Sequence, residues 1–335
     1  MVFTVNYLQK IMVSIIIAYF SNTDNLEKCL ESVLAQTYKT KEIVVINNSR
    51  RRLAEDLLRK KFSMVKFIEP EENLLYAAAQ NLGINKSQGD FLMFLNDDVI
   101  LENNFISRLV QGIKDSEQTG MVCGKILRMD KVTVDSAGQF LGKDRRPIER
   151  GWEKRNCGQY NQASYIFSPG GVAPLYRRET LEEVAVNGEY FDEDFKFFYE
   201  DLDLAWRANR FGWRCFYSPL ALAYHQRGAS TQTDKPKINF FQKYYFSCLP
   251  ENLQFHLVKN RYLNMIKNDS IGLFLINLPA VLLYETKLWG YILLFRRRLI
   301  TGIIKNRCLF WKAWGKRRII KEKLEKGRFY GKIPY

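Results

Sequence analysis

Three acids, Glu200, Asp201 and Asp203, fall within four residues of the aromatic stretch FFYEDLDLAWR (197–207). Read as a helix, the stretch sets Glu200 with Leu204 and Ala208 on one face and Asp203 with Arg207 on another, while Asp201 points elsewhere beside Ala205. Solvated helix charge would account for the acids alone, but all three cannot share one task. A second polar group, Asn96-Asp97-Asp98, ends the apolar run FLMFL (91–95). Ionised Asp is costly to bury and poor in strands, so folding by itself does not call for two carboxylates there. A turn is one explanation. Another is a hard cation such as Mg2+ or Mn2+, which takes rigidly held oxygen ligands and leaves room for diphosphate oxygens. His225, one of only two histidines, follows the apolar LALAY (220–224).

The elements that must position these groups are legible. Val13 to Ala18 (VSIIIA) is a β-branched apolar run of the kind found in a buried parallel strand. It leads into Tyr19-Phe20-Ser21-Asn22, where Ser21 or Asn22 can cap a helix with Leu26, Cys29, Leu30, Val33 and Leu34 on one face. A second strand, Glu42 to Ile46, stops at Asn47-Asn48-Ser49. Strand, helix, strand in so short a span is a βαβ unit, whose ligands sit beyond the carboxyl ends of the strands, where Phe20 and Asn47 fall. A further helix is predicted over Leu75 to Lys86 and a third buried strand over Phe91 to Leu95.

With 335 residues, 47% of them hydrophobic, the chain supports one large α/β domain over residues 1–235 and an extension over 236–335. Six scattered cysteines with no C-x-x-C pair suit a reducing compartment rather than a zinc site or a disulfide framework. The first residues lack the basic and small-residue features of a signal peptide. The net charge of +15 is concentrated at the end, since residues 296–335 hold fourteen Lys and Arg against two Glu, 14 − 2 = +12. Such a tail serves an anionic membrane surface or nucleic acid.

The segments VSIIIAYFSNTDNLEKCLESVLAQTY, EIVVINNS, NLLYAAAQNLGI, GDFLMFLNDDV, SPGGVAPLYRRETLEEV and FDEDFKFFYEDLDLAWRANRFGW, with YHQRGAS, run in order over about residues 12 to 230. Together they resemble the inverting family 2 glycosyltransferases of the GT-A fold, especially the rhamnosyltransferase-like branch. The resemblance implies a sugar transfer from a nucleoside diphosphate donor, dTDP-rhamnose first and a UDP-hexose or UDP-N-acetylhexosamine next, onto a hydroxyl of a glycan or lipid-linked acceptor. A catalytically silent glycan-binding relative is the reading from another class. By resemblance, Ala18, Tyr19, Phe20, Asn47, Ala78 and Asn81 line the nucleotide site. Asn47 stands where most members carry Asp, and its carbonyl oxygen can still accept the N3 hydrogen of uracil or thymine. Asn96-Asp97-Asp98 matches the metal motif, with Asp98 as the ligand of Mg2+ or Mn2+ and Asn96 and Asp97 as donor contacts. His225 matches the ligand from the far side. Asp201 matches the general base that an inverting transfer requires, with Glu200 as its partner, while Asp203 pairs with Arg207. Gly170 and Gly171 let backbone approach the transferred sugar, Arg177 and Arg178 are candidates for phosphate, Trp152 for a sugar platform, and Asp192 for a structural role.

In the extension, Ile271 to Tyr284 is apolar but interrupted by Asn277 and Pro279 and followed by Glu285 and Lys287. A spanning helix needs roughly 20 apolar residues, so a single crossing is not expected. Trp289, Tyr291 and Phe295 precede Arg296-Arg297-Arg298, the pattern of a peripheral or re-entrant segment on the cytoplasmic face of a membrane. The alternative is a helical hairpin packed on the catalytic domain or in a homodimer. No nucleic-acid module appears.

Overall fold

A computed structural model describes residues 11–20, 22–49, 55–227, 246 and 249–327. Ser21, residues 228–230 of the YHQRGAS stretch and the domain boundary expected at 235 lie outside the described residues.

The first half is β1 (Val13–Tyr19), α1 (Thr23–Leu34), β2 (Lys41–Asn47), α2 (Glu55–Lys61), β3 (Val65–Ile68), α3 (Leu75–Asn85) and β4 (Phe91–Asn96). Each predicted strand exists, extended by one residue into its polar end. α1 is capped by Asn22, whose side chain accepts from the Asn25 amide at 3.1 Å. Ile15, Ile16 and Ile17 are fully buried because helices cover both faces of the parallel strands; each such side chain contributes about 1.5–3 kcal/mol on burial. α3 lies so close to β1 that a Cβ at Gly83 would stand 2.2 Å from Ile16 Cγ2.

β5 (Val99–Leu101), α4 (Phe105–Lys114), β6 (Thr119–Arg128), β7 (Val134–Ser136), β8 (Gln139–Leu141), β9 (Pro147–Glu149), β10 (Ser164–Ile166), β11 (Leu175–Arg177), α5 (Arg178–Val184), α6 (Glu200–Arg210) and β12 (Arg214–His225) follow. The main sheet runs β10-β12-β6-β11-β4-β1-β2-β3, with β5 on β12 and β7 on β6. β1 to β4 are mutually parallel, and β11 enters antiparallel between β4 and β6. This register corrects one expectation. Arg177 and Arg178 stand at the amino end of β4, where Arg177 pairs with Phe91, and they serve no phosphate at the opposite end of the sheet. Their guanidinium groups close loops, on the Thr119, Ile113 and Ser116 carbonyls and on Gly89 O and Ser87 Oγ.

The extension is α7 (Glu251–Asn268), α8 (Ile271–Ile276), α9 (Leu278–Phe295), α10 (Arg298–Lys305) and α11 (Arg307–Leu324). Its cations are not all at the surface. Lys267 on α7, 1% exposed, pairs with Asp192 and Asp203, and Lys316 on α11 pairs with Asp192 at 2.7 Å and Asp194 at 3.0 Å. Burial pushes the Asp192 carboxyl upward, but Lys267 and Lys316 outweigh it and hold the group well below the usual carboxylate range. Part of the basic excess is therefore spent inside the protein.

The apolar segment also differs from the expectation. Asn277 separates α8 from α9, and Pro279 falls in the first turn of α9, where no helical amide bond is needed. The helix then continues through Glu285, which faces Arg261 at 2.8 Å rather than solvent or lipid. The result is an 18-residue helix long and apolar enough to cross a membrane by length and composition.

Candidate functional site

The register of the parallel strands creates the site. Tyr19 of β1 pairs with Asn47 of β2, and Ala18 pairs with Asn96 of β4, so Phe20 and Asp97 leave the sheet side by side. The Phe20 amide donates to Asp97 Oδ2 at 3.2 Å. β12 brings His225 to the same level through its pairing with Val99. A cleft of about 480 Å³ opens there, lined by Ala18, Phe20, Asn96, Asp97, Asp98 and His225 on one side. Gly171, Glu200 and Asp201 also line it, with Tyr76, Phe197 and Arg227. Nine residues singled out from the sequence thus meet around one space.

On the strand side the polar groups are tightly paired. His225 Nε2 lies 3.1 Å from Asp98 Oδ1, and its Nδ1 lies 2.8 Å from the fully buried Asp135 Oδ2. Burial alone would lower the imidazole pKa; hydrogen bonds to Asp135 and Asp98 outweigh it and raise the group to about 9. Arg227 also donates to Asp135 and stacks on Trp152 with its guanidinium carbon 3.8 Å from the ring. Trp152 is accordingly a shelf for Arg227. Asp97 is pushed up to about 6, chiefly by burial, with the Phe20 amide acting in the opposite direction. Among the described residues no group of three or more His, Cys, Asp or Glu side chains could hold a metal ion. Asp98 and His225 are a two-residue set, which fits a cation whose remaining ligands are substrate phosphates and water.

A second part of the lining comes from α6. Glu200 and Asp201 occupy its first turn and both reach the cleft, while Asp203 turns inward to Arg207, 2.9 Å away. Asp201 accepts from the Leu202 amide at 2.8 Å and from the Gln139 side chain. Gln139 also donates to Glu149, so one amide ties Asp201 to a second half-buried acid. Burial raises the Asp201 and Glu200 carboxyls above their ordinary range, and in Glu200 the neighbouring Asp201 charge adds to it. Glu149 is raised to about 7, again chiefly by burial. A Cβ on Gly171 would come within 3.2 Å of Asp201 Oδ2, so the glycine is what lets this backbone pass the carboxylate.

Five expected residues do not line the cleft. Tyr19 is buried, its hydroxyl 3.1 Å from Thr23 Oγ1. The Asn47 carbonyl oxygen, expected to meet a pyrimidine, accepts instead from the Ser49 amide and hydroxyl. Asn81 uses its amide on Phe191 and Glu193 across the chain. Ala78 sits on α3 without reaching the space, and Gly170 supplies a left-handed turn at φ +69° one residue before Gly171.

Residues missed from the sequence are Arg227, Asp135, Gln139, Glu149, Tyr76 and Phe197. For Arg227 a signal existed, since it stands two residues after His225 at a strand end. Asp135, Gln139 and Glu149 lie in short strands with no pattern to betray them.

Comparison with known proteins agrees with this architecture. Residues 14–184 match the family model described as Glycosyl transferase family 2. The chain is 26% identical over 216 residues to the poly-beta-1,6-N-acetyl-D-glucosamine synthase of Staphylococcus aureus (strain MSSA476), covering 63% of this chain and 49% of that protein. The Staphylococcus epidermidis synthase of the same name is 26% identical over 218 residues, with the same coverage. The chain thus spans about half the length of these curated relatives. A solved structure, GalNAc-T7 with UDP, GalNAc and Mn2+, superposes with a TM-score of 0.53 at 16% identity, over 65% of this chain and 44% of that one.

Proposed function

The chain belongs to glycosyl transferase family 2 with a GT-A architecture, and from that premise we propose that it transfers a sugar, with inversion, from a nucleoside diphosphate to a hydroxyl of a glycan or lipid-linked acceptor in cell-surface polysaccharide synthesis. One observation carries the reading: Asp98, His225, Glu200 and Asp201 line one cleft at the carboxyl ends of the strands.

In this reading Asp98 and His225 would hold Mg2+ or Mn2+, with Asp135 orienting the imidazole through Nδ1. Bound there, such a cation would supply charge neutralisation for the departing diphosphate. Asn96, Asp97 and the Phe20 loop contact the donor. Asp201 takes the proton of the acceptor hydroxyl as that oxygen attacks the anomeric carbon, so no covalent enzyme intermediate is required. Burial raises its pKa, which makes the ionised carboxylate a stronger base, and Glu200 orients it or the acceptor. Gly171 leaves space beside the carboxylate for the sugar.

The relatives are named for an N-acetyl-D-glucosamine polymer, which favours an N-acetylhexosamine donor, whereas the resemblance to the rhamnosyltransferase-like branch favours dTDP-rhamnose. Thermal stabilisation by each donor with Mn2+, followed by transfer assays with the best binder, separates the two. If no uridine or thymidine diphosphate sugar raises the melting temperature, or Asp98→Ala responds as the parent does, the reading is wrong.

The extension supports association with the cytoplasmic membrane face. Leu283, Leu294 and Phe295 on α9 are 61%, 70% and 60% exposed, beside Arg296, Arg297 and Arg298. Exposed apolar area next to a cationic cluster fits an anionic lipid surface, at about 1 kcal/mol per basic residue. Flotation with phosphatidylserine liposomes is expected for the full chain and not for Leu294→Asp with Arg297→Glu; equal flotation would refute the surface.

A further inference from the structure

The backbone leading into α6 is unusual. Lys196, Phe198 and Tyr199 have φ of +65°, +64° and +70°, a conformation that side-chain-bearing residues avoid. Tyr199 is the residue before α6, and no side chain caps that helix start. Phe197, Phe198, Glu200 and Asp201 all line the cleft, so the strained segment carries four of its lining residues, both acids proposed for the acceptor among them.

What holds it lies in the extension. Asn260, fully buried on α7, places Nδ2 2.9, 2.5 and 2.8 Å from the carbonyl oxygens of Phe195, Phe197 and Phe198, so its two N–H groups are shared among three acceptors. One turn later Asn264 donates to Tyr199 O at 3.2 Å, and one turn later again Asn268 donates to Asp203 Oδ1 at 2.8 Å. The three asparagines recur every four residues and form one stripe on the helix. Lys259 adds a bond to Asp194 O. Main-chain groups from 194 to 199 that would otherwise favour a relaxed loop are thus fastened from outside the sheet domain.

We propose that the Asn260, Asn264 and Asn268 stripe is a positioning device for the acceptor-side carboxyls, so that the C-terminal extension is part of the catalytic apparatus and not only an anchor. The asparagines touch no reacting atom; they act by setting where Glu200 and Asp201 stand. This rests on the proposed transferase reading. Misplacing a base by about 1 Å costs on the order of 100-fold in rate, while the strand-borne donor side should be unaffected.

The test uses the full chain with Asn260→Ala and Asn264→Ala. For Asn260→Ala, kcat is expected to fall about 10- to 100-fold with the Kd for UDP unchanged, and hydrogen exchange should accelerate over 195–201 but not over β1 and β4. Lys196→Gly places an unstrained residue at an exposed left-handed position, and added to Asn260→Ala it should recover several-fold in kcat at temperatures well below the melting points of both variants, where a general loss of stability does not change turnover. Asn264→Ala should show the same pattern more weakly, and it decides the matter if Asn260→Ala does not fold. Unaltered exchange over 195–201, or an unaltered kcat in an active parent, overturns the proposal. A parent inactive with every donor, but whose Asn260→Ala variant loses protection there, would indict the transferase reading instead.

Discussion

The two walls of the cleft are built in opposite ways. The Asp98 wall, proposed to hold the donor, is assembled from strand ends: β1, β4 and β12 deliver Phe20, Asp98 and His225 by register, and nearby polar groups complete the pairing, with His225 between Asp98 and Asp135 and Arg227 on Asp135. The Asp201 wall, proposed to meet the acceptor, rests on a helix start behind a left-handed turn, and Glu200 Oε2 is buried with no hydrogen-bond partner among the described residues. A ladder of hydrogen bonds positions a strand end without further help. A loop whose backbone is strained keeps its shape only where something else over-determines it, and here that support comes from α7.

This contrast predicts different failures. The largest effect is expected for Asp98→Ala, which should abolish transfer, by at least about 1,000-fold, and remove Mn2+-dependent stabilisation by UDP; calorimetric titration with and without Mn2+ reports it. Asp201→Asn should lower turnover by about 100- to 10,000-fold yet leave UDP affinity within twofold, measured by steady-state kinetics beside titration. Equal loss of both would make Asp201 a folding residue and erase the distinction between the walls. Asp135→Asn probes the donor side at one remove. Mn2+ affinity should weaken about 10- to 100-fold because the imidazole loses its orienting carboxylate, and an unchanged metal affinity would place His225 outside the metal site.

The next test concerns the support itself. Lys267→Met leaves Asp192 and Asp203 short of a buried cation and should destabilise the fold by about 3–5 kcal/mol, read by urea unfolding. A cost under about 1 kcal/mol, the size of a surface pair, would mean that the extension rests on the catalytic domain only loosely.

The smallest predicted effect is a pH response confined to the acceptor side. Glu200 and Asp201 have pKa values raised above those of the unfolded chain. Their neutral forms are favoured in the fold, so the associated stability is full below the unfolded values and is lost as pH rises through the folded ones. Glu200→Gln should therefore melt higher than the parent at pH 8 and no higher at pH 4. Because it removes a like charge beside Asp201, it should also move the acidic limb of kcat downward. A limb that stays in place would separate the two carboxyls electrostatically.

How much of this was legible varies with distance along the chain. VSIIIA, EIVVI and FLMFL announced their strands because an apolar, β-branched run has few other uses, and the residues after the first and third of them line the cleft. The division of labour among Glu200, Asp201 and Asp203 was only half visible. The spacing of Asp203 and Arg207 foretold their pair, but a helix wheel drawn from Phe197 separated Glu200 from Asp201, whereas α6 begins at Glu200 and both reach the cleft. Arg177 and Arg178 looked suited to phosphate until the antiparallel β11 put them at the far end of the sheet. Asn260, Asn264 and Asn268 stood in plain sight at helical spacing, with nothing local to say what they bind.

By itself the amino-acid sequence determined the parallel strands and the acidic end of β4, which rest on patterns within a dozen residues, and the family, which rests on such segments in order along the chain. Tertiary structure alone decided what each polar side chain meets: Asn81 with Phe191, His225 with Asp135, Asn260 with Phe197. The physical reason is that burial of apolar side chains is non-directional and can be read from their order, whereas a buried hydrogen bond needs a particular partner, and in these pairs that partner lies more than sixty residues away.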